Sequence, residues 1–172
     1  MRSLILGGAR SGKSALAERW AADSGLAVTY IATSQAGDGE MAERIAHHRA
    51  RRPSAWGCVE EPLALADALR TQAAADRLLL VDCLTLWLSN LLCLEDGACF
   101  AKERDALLDV VSTLPGGLIL VSNEVGLGIV PMGALSRRFV DEAGRLHQQL
   151  ASRCERVVFV AAGLPLALKG SL

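Results

Sequence analysis

Ser3-Leu4-Ile5-Leu6-Gly7-Gly8-Ala9-Arg10-Ser11-Gly12-Lys13-Ser14 is the stretch whose reading decides the fold. A short continuous apolar run ends in two glycines, as a buried parallel strand does. A third glycine, a lysine and a serine follow. Helical spacing then takes over through Ala15, Leu16, Ala17 and Trp20 to about Ser24, where Gly25 supplies a stop. The pattern G-x-x-x-x-G-K-S between a strand and a helix is that of a phosphate-binding loop, in the context it requires. Glycines let the backbone curl so that successive N–H groups point inward, and the helix start adds the positive end of its dipole. Gly7, Gly8, Ala9, Arg10, Ser11, Gly12, Lys13 and Ser14 are therefore candidate nucleotide contacts. Lys13 is expected on the β- and γ-phosphates, and Ser14 on a Mg²⁺ ion.

Outward from this loop, β-rich apolar runs alternate with longer helical patterns. Strands are expected over Ala27–Thr33, around Cys58–Glu60, over Leu78–Asp82 and Leu118–Ser122, and last over Val157–Val160. Helices are expected from Asp38 or Gly39 through His48, from Pro62 to about Ala74, over Leu84–Leu92, Cys99–Leu114 and Leu135–Ala151. This alternation implies an α/β fold, a mostly parallel sheet with helices on both faces. The chain shows no internal repeat, low-complexity tract or linker, so residues 1–172 are expected to form a single domain. The stretch Gly126–Gly133 reads as a loop at a strand end, where ligand sites of such sheets lie.

Composition narrows the function classes. Of 172 residues, 51% are hydrophobic and 22% charged, the balance of a globular chain. The formal net charge is −1, so no nucleic acid partner held by bulk charge is expected. Arg49, Arg51 and Arg52 make one local basic patch, equally readable as a solvated helix end. The five cysteines, an odd number with no Cys-x-x-Cys pair, indicate small apolar residues in a reducing compartment. The most apolar run, Leu78 to Leu94, contains Asp82, Thr85, Ser89 and Asn90 and is too polar for a membrane span. No signal peptide is expected before the first strand. A cytoplasmic protein is expected.

Further candidates carry weaker signals. Asp82 ends an apolar strand, as an acid that holds Mg²⁺ beside a phosphate-binding loop does. The alternative is a strand-end cap for the helix that starts near Leu84, and beside a phosphate-binding loop the metal role is favoured. His47 and His48 are adjacent in a stretch followed by arginines. Imidazole is a competent nucleophile toward phosphorus, and arginines stabilise the developing charge, but exposed helical histidines are the plainer reading. His147 reads as an ordinary residue of an amphipathic helix. Glu60 and Glu61 could form an acidic site or favour the following helix start. Ser122-Asn123-Glu124 could be functional or a turn.

Several segments, taken in order, resemble the bifunctional adenosylcobinamide kinase/adenosylcobinamide-phosphate guanylyltransferase family of cobalamin biosynthesis. They are Gly7–Ser14, Tyr30–Gln35, Glu40–Arg49, Leu84–Thr85 to Asn90–Leu92, Ser122–Pro131, and Arg137–Phe139 to Ala143–Arg145. The resemblance implies a RecA-like P-loop fold and a homotrimer, for which the apolar stretch Leu84–Leu94 could supply interface. It implies His47 as the residue that becomes guanylylated. It also implies nucleotide contacts at the loop, at Thr33, Ser34 and Gln35, at His48, Arg49, Ala50 and Arg51, and at Glu60 and Asp82. Some relatives carry Glu where Asp82 stands. The implied substrates are GTP and ATP, adenosylcobinamide and adenosylcobinamide phosphate, with Mg²⁺ as cofactor. A P-loop kinase of another small metabolite, and a nucleotide-dependent switch, are the competing readings of the same residues.

Overall fold

A computed structural model describes residues 1–34 and 53–172. Gln35, His47, His48, Arg49, Ala50 and Arg51, and the helix expected from Asp38 or Gly39, lie outside the described residues. Elements run β1 (Arg2–Gly7), α1 (Lys13–Asp23), β2 (Ala27–Ala32), β3 (Gly57–Glu60), α2 (Leu65–Gln72), β4 (Arg77–Asp82), α3 (Leu84–Cys93), α4 (Gly97–Thr113), β5 (Gly117–Asn123), α5 (Ala134–Arg153), β6 (Arg156–Ala161) and β7 (Leu164–Lys169). The seven strands form one sheet in the order β3-β2-β4-β5-β1-β6-β7, and every neighbouring pair is parallel except β6–β7.

The central strands are apolar almost throughout, as strands buried on both faces must be. Alternate residues sort into two cores. Leu4, Leu79, Val81, Leu118 and Leu120 pack under α2, α3, α4 and α5. Ile5, Leu78, Leu80, Ile119 and Val121 pack under Leu16, Ala17 and Ala21 of α1. Helices thus cover both faces, four on one and, among the described residues, α1 on the other.

Three expectations need correction. Most of the stretch Leu84–Leu94, a candidate interface, faces inward: Leu84, Trp87, Leu88, Leu91 and Leu92 are buried in the chain's own core, and only its end, Cys93 and Leu94, is exposed. The helix expected from Pro62 starts at Leu65 instead. The Glu61 carboxylate accepts the Leu63 and Ala64 N–H groups, while Trp87 and Asn90 side chains hold the Leu63 and Pro62 carbonyls, so residues 62–64 are fixed outside the helix. The last strand is β7, not β6. Its two-residue turn, Ala162-Gly163, has positive φ at both positions, the geometry that closes tight hairpins. Pro165 reads as a strand breaker but sits on an edge strand, where a missing N–H costs little.

Candidate nucleotide site

The C-terminal edge of the parallel strands gathers the residues that the sequence singled out. Gly7 ends β1, Thr33 and Ser34 follow β2, Glu60 ends β3, Asp82 ends β4, and Asn123 ends β5. A ligand placed there meets strand ends and loops, whose backbone groups the sheet has not consumed.

Backbone geometry builds the phosphate cradle. Ser11 N–H bonds the Gly8 carbonyl at 3.3 Å, and Arg10 takes a positive φ of 56°. Gly12, with φ 98°, is the N-cap of α1, and no side chain caps that helix. A glycine N-cap brings no capping side chain of its own to the first turn of α1, which suits an anion-binding helix start. Gly7 has no room for a side chain: a Cβ there would stand 2.5 Å from the Ser11 Oγ and 2.5 Å from the Val160 carbonyl oxygen. Two neighbours brace the loop. Glu124 N–H bonds the Gly7 carbonyl at 3.0 Å, and Gly163 N–H, in the β6–β7 turn, bonds the Ser11 carbonyl at 2.8 Å. The hairpin that the sequence hid thus supports the motif that it displayed.

Lys13 is 9% exposed, and its ammonium donates to the Gly8 carbonyl at 3.2 Å. The amine is folded back across the cradle, where an incoming phosphate can exchange for a carbonyl dipole. Ser14 is half-buried in the first turn of α1. Asp82 is half-buried at the end of β4 and continues the face of Leu78 and Leu80, the face that α1 covers. α3 begins with Cys83 as its N-cap and has no side-chain cap bond, so the capping reading of Asp82 has no bond behind it. Ser14 and Asp82 lie on the same face at the same edge. An alcohol and a carboxylate there fit Mg²⁺, which takes one or two protein oxygens and draws its other ligands from phosphate and water.

Thr33 has another task. It is wholly buried; its hydroxyl donates to the Cys83 carbonyl at 2.6 Å and accepts the Cys83 N–H at 3.0 Å. It fixes the chain beside Asp82, and the surface of that turn begins at Ser34. The Asp82–Cys83 peptide bond is cis. Burial first, and the Asp82 charge second, push the Cys83 thiol above its usual range, so it stays protonated and unreactive.

Separation divides the site. β4 lies two strands from β1 and β3 lies four strands away. At about 4.8 Å per strand, Asp82 is roughly 10 Å across the sheet from the cradle and Glu60 roughly 19 Å. A cation can bridge the first pair through a bound phosphate. Glu60 serves a different part of any ligand.

Reading the sequence missed a second polar cluster at this edge. His147, 6% exposed, places its Nε2 2.8 Å from the Ser122 Oγ, and Ser122 lies 3.4 Å from the Thr85 hydroxyl. The Thr85 hydroxyl accepts the Asn123 N–H at 2.7 Å. Among the described residues the buried His147 Nδ1 has no hydrogen bond, and it lies 3.8 Å from the Glu124 carboxylate. Burial lowers the imidazole below its usual 6.5, and the Glu124 charge partly opposes this. His147 is therefore neutral at pH 7 and is not the ordinary helix residue that its spacing suggested. The only clue in the sequence was a run of three polar residues closing an apolar strand.

Comparison with known proteins bears on the same residues. The pattern of the family described as cobinamide kinase / cobinamide phosphate guanyltransferase matches residues 3–168. The chain is 69% identical over 170 residues to the bifunctional adenosylcobalamin biosynthesis protein CobP of Pseudomonas aeruginosa, covering 99% of this chain and 98% of that one. It is 40% identical over 182 residues to the bifunctional adenosylcobalamin biosynthesis protein CobU of Escherichia coli (strain K12), covering 98% and 100%. Among solved structures, flagellar accessory protein FlaH of Methanocaldococcus jannaschii superposes with a TM-score of 0.54 at 14% identity, over 99% of this chain and 78% of that one. The ATPase EscN of the enteropathogenic E. coli type III secretion system superposes with a TM-score of 0.54 at 12% identity, over 94% of this chain and 43% of that one. These distant likenesses speak for the fold alone, which is RecA-like.

Proposed function

Because the chain belongs to the cobinamide kinase / cobinamide phosphate guanyltransferase family, we propose that it assembles the nucleotide loop of cobalamin in two steps. It phosphorylates adenosylcobinamide with ATP or GTP, then transfers GMP from GTP through a GMP–histidine intermediate to give adenosylcobinamide-GDP. The observation that carries this reading is the end-to-end match together with a formed, braced phosphate cradle.

In the first step the hydroxyl oxygen of adenosylcobinamide bonds to the γ-phosphorus. The bond to the bridging oxygen breaks, its electrons leave with the nucleoside diphosphate, and the hydroxyl proton goes to water. The loop N–H groups and Lys13 hold the triphosphate and meet the charge on its oxygens. Ser14 and Asp82 are the residues that would hold Mg²⁺, which when bound would supply neutralising charge to the outer phosphates. In the second step His47 attacks the α-phosphorus of GTP and pyrophosphate leaves. The corrinoid phosphate then takes GMP from the imidazole, so one hard transfer becomes two easier ones. Gln35, His48, Arg49, Ala50 and Arg51, with Ser34 and Glu60, are assigned to the nucleotide in this step. That Glu60 stands far from the cradle supports a nucleotide site extending across the sheet edge toward β3. The proposal further takes residues 1–172 as one cytoplasmic domain that works as a homotrimer.

The test is the mass of the intact protein after incubation with GTP and Mg²⁺. A GMP adduct is expected, labile in acid and stable in alkali, as a phosphorus–nitrogen bond is. His47→Asn should abolish the adduct and guanylyl transfer while phosphorylation persists at least in part, and His48→Asn should be milder. An adduct that survives in His47→Asn, or maps to Lys13, sinks the histidine route and leaves a kinase.

A further inference from the structure

β5 stands between β1, which carries the phosphate cradle, and β4, which carries Asp82. Its side chains alternate: Leu118 and Leu120 join the core under the four helices, and Ile119 and Val121 join the core under α1. Asn123 is the next residue of the second set, so its side chain leaves the sheet on the α1 face. The register pairs Asn123 with Gly7 and Val121 with Asp82. Helix α1 crosses β1, β5 and β4 on that face. Asn123 therefore emerges between the first glycine of the cradle and the acid of β4, beside the helix start that carries Lys13 and Ser14.

Its backbone is pinned and its amide is not. The Thr85 hydroxyl accepts the Asn123 N–H at 2.7 Å, and Thr85 is itself 3.4 Å from Ser122. Among the described residues, the half-buried side-chain amide makes no hydrogen bond. In a phosphate-binding loop the backbone cradles the inner phosphates, while the lysine and the metal meet the outer ones. The space between Gly7 and Asp82 is thus the outer, γ end.

We propose, building on the two-step reading above, that Asn123 donates a side-chain N–H to an oxygen of the γ-phosphoryl group, and that Thr85 positions it. As the γ-phosphorus passes from the nucleotide oxygen to the acceptor hydroxyl, charge stays on its three equatorial oxygens. A fixed neutral donor stabilises that charge without repelling the lysine or the cation. The contact belongs to phosphorylation, because GMP transfer breaks its bond at the α-phosphorus.

Asn123→Ala, Asn123→Asp, Thr85→Val and Thr85→Ser test this, with thermal midpoints checked first. Asn123→Ala should lower kcat for adenosylcobinamide phosphorylation on the order of 100-fold. GMP labelling from GTP should fall at least tenfold less. Binding of ATP should weaken while binding of ADP is held within about twofold. Asn123→Asp should be worse than alanine for ATP, since it sets a carboxylate against phosphate. Thr85→Val should move the same readouts in the same direction by a smaller factor, and Thr85→Ser should restore them. Equal losses in phosphorylation and GMP labelling, or parallel losses of ATP and ADP affinity, would overturn the assignment. If Asn123→Ala fails to fold, Asn123→Asp carries the same comparison. A wild-type protein without phosphorylation activity would break the two-step reading instead, and the ATP-to-ADP comparison would still judge Asn123.

Discussion

The end of β1 is made of backbone, and the end of its neighbour β5 is made of side chains. At β1 the chain turns through Gly7 and Gly12, offers N–H groups, and is braced by main-chain bonds from Glu124 and Gly163. At β5, Ser122, Thr85 and His147 are linked through side-chain atoms, with the Glu124 carboxylate near the His147 ring. The two ends are adjacent in register, Gly7 beside Asn123. They should fail in different ways. A cradle of backbone is sensitive to an added methyl group and indifferent to pH. A network of hydroxyls and an imidazole is the reverse.

The largest effect should come from Lys13, whose ammonium lies across the cradle. Lys13 meets the triphosphate in both half-reactions, so Lys13→Ala should lower phosphorylation and GMP labelling together, each on the order of 100- to 1000-fold. Rates measured separately with γ-labelled ATP and α-labelled GTP check this. Near-normal rates in both would refute a shared cradle.

Next in size is a contrast within the loop. Gly7→Ala drives a Cβ to 2.5 Å from the Val160 carbonyl, a backbone atom that cannot swing away, whereas a Cβ at Gly8 meets nothing within 4 Å. Overpacking of this kind costs about 1–3 kcal/mol. In a chain of this size each kcal/mol lowers Tm by roughly 2–4 °C. Gly7→Ala should therefore melt several degrees lower and bind ATP more weakly, and Gly8→Ala should melt within about 1 °C of wild type. Equal melting points for both variants would show that the loop gives way, and the contrast between rigid cradle and side-chain network would weaken.

That contrast also explains what could be read in advance. Gly7–Ser14 was legible because its residue types permit one local geometry, and the flanking strand and helix are local too. Asp82 was legible as a strand end. Ser122-Asn123-Glu124 was not: its meaning depends on β5 being inserted between β1 and β4, and the pairing with β1 joins Gly7 to Asn123, far apart in the chain. His147 was hidden for the same reason, since only the fold brings it to Ser122. β7 was hidden by chemistry, because Ala162 and Pro165 are unusual residues for a hairpin turn and a strand. The helix start at Leu65 moved because Glu61, Trp87 and Asn90 hold the preceding residues.

The smallest effect should appear in His147→Gln, and it is read in stability against pH. The imidazole is buried and its folded-state pKa is lowered from 6.5, with desolvation as the main cause and the Glu124 charge opposing it. Below pH 6.5 the unfolded chain takes up a proton that the folded chain resists. Protonation thus favours unfolding, and the stability due to neutral His147 is fully present above pH 6.5 and lost as the pH falls toward the lowered folded value. The slope can reach at most one proton, about 1.4 kcal/mol per pH unit. Glutamine keeps an amide that can meet the Ser122 hydroxyl but has nothing to titrate. Urea midpoints at pH 7.5, 6.5 and 5.5 should therefore fall more steeply for wild type than for His147→Gln, with the variant closing the gap as pH drops. The Gly7→Ala variant, altered only in backbone packing, should run parallel to wild type over the same range. Parallel lines for His147→Gln as well would show that the imidazole at the end of β5 is no more coupled to protons than the glycines at the end of β1.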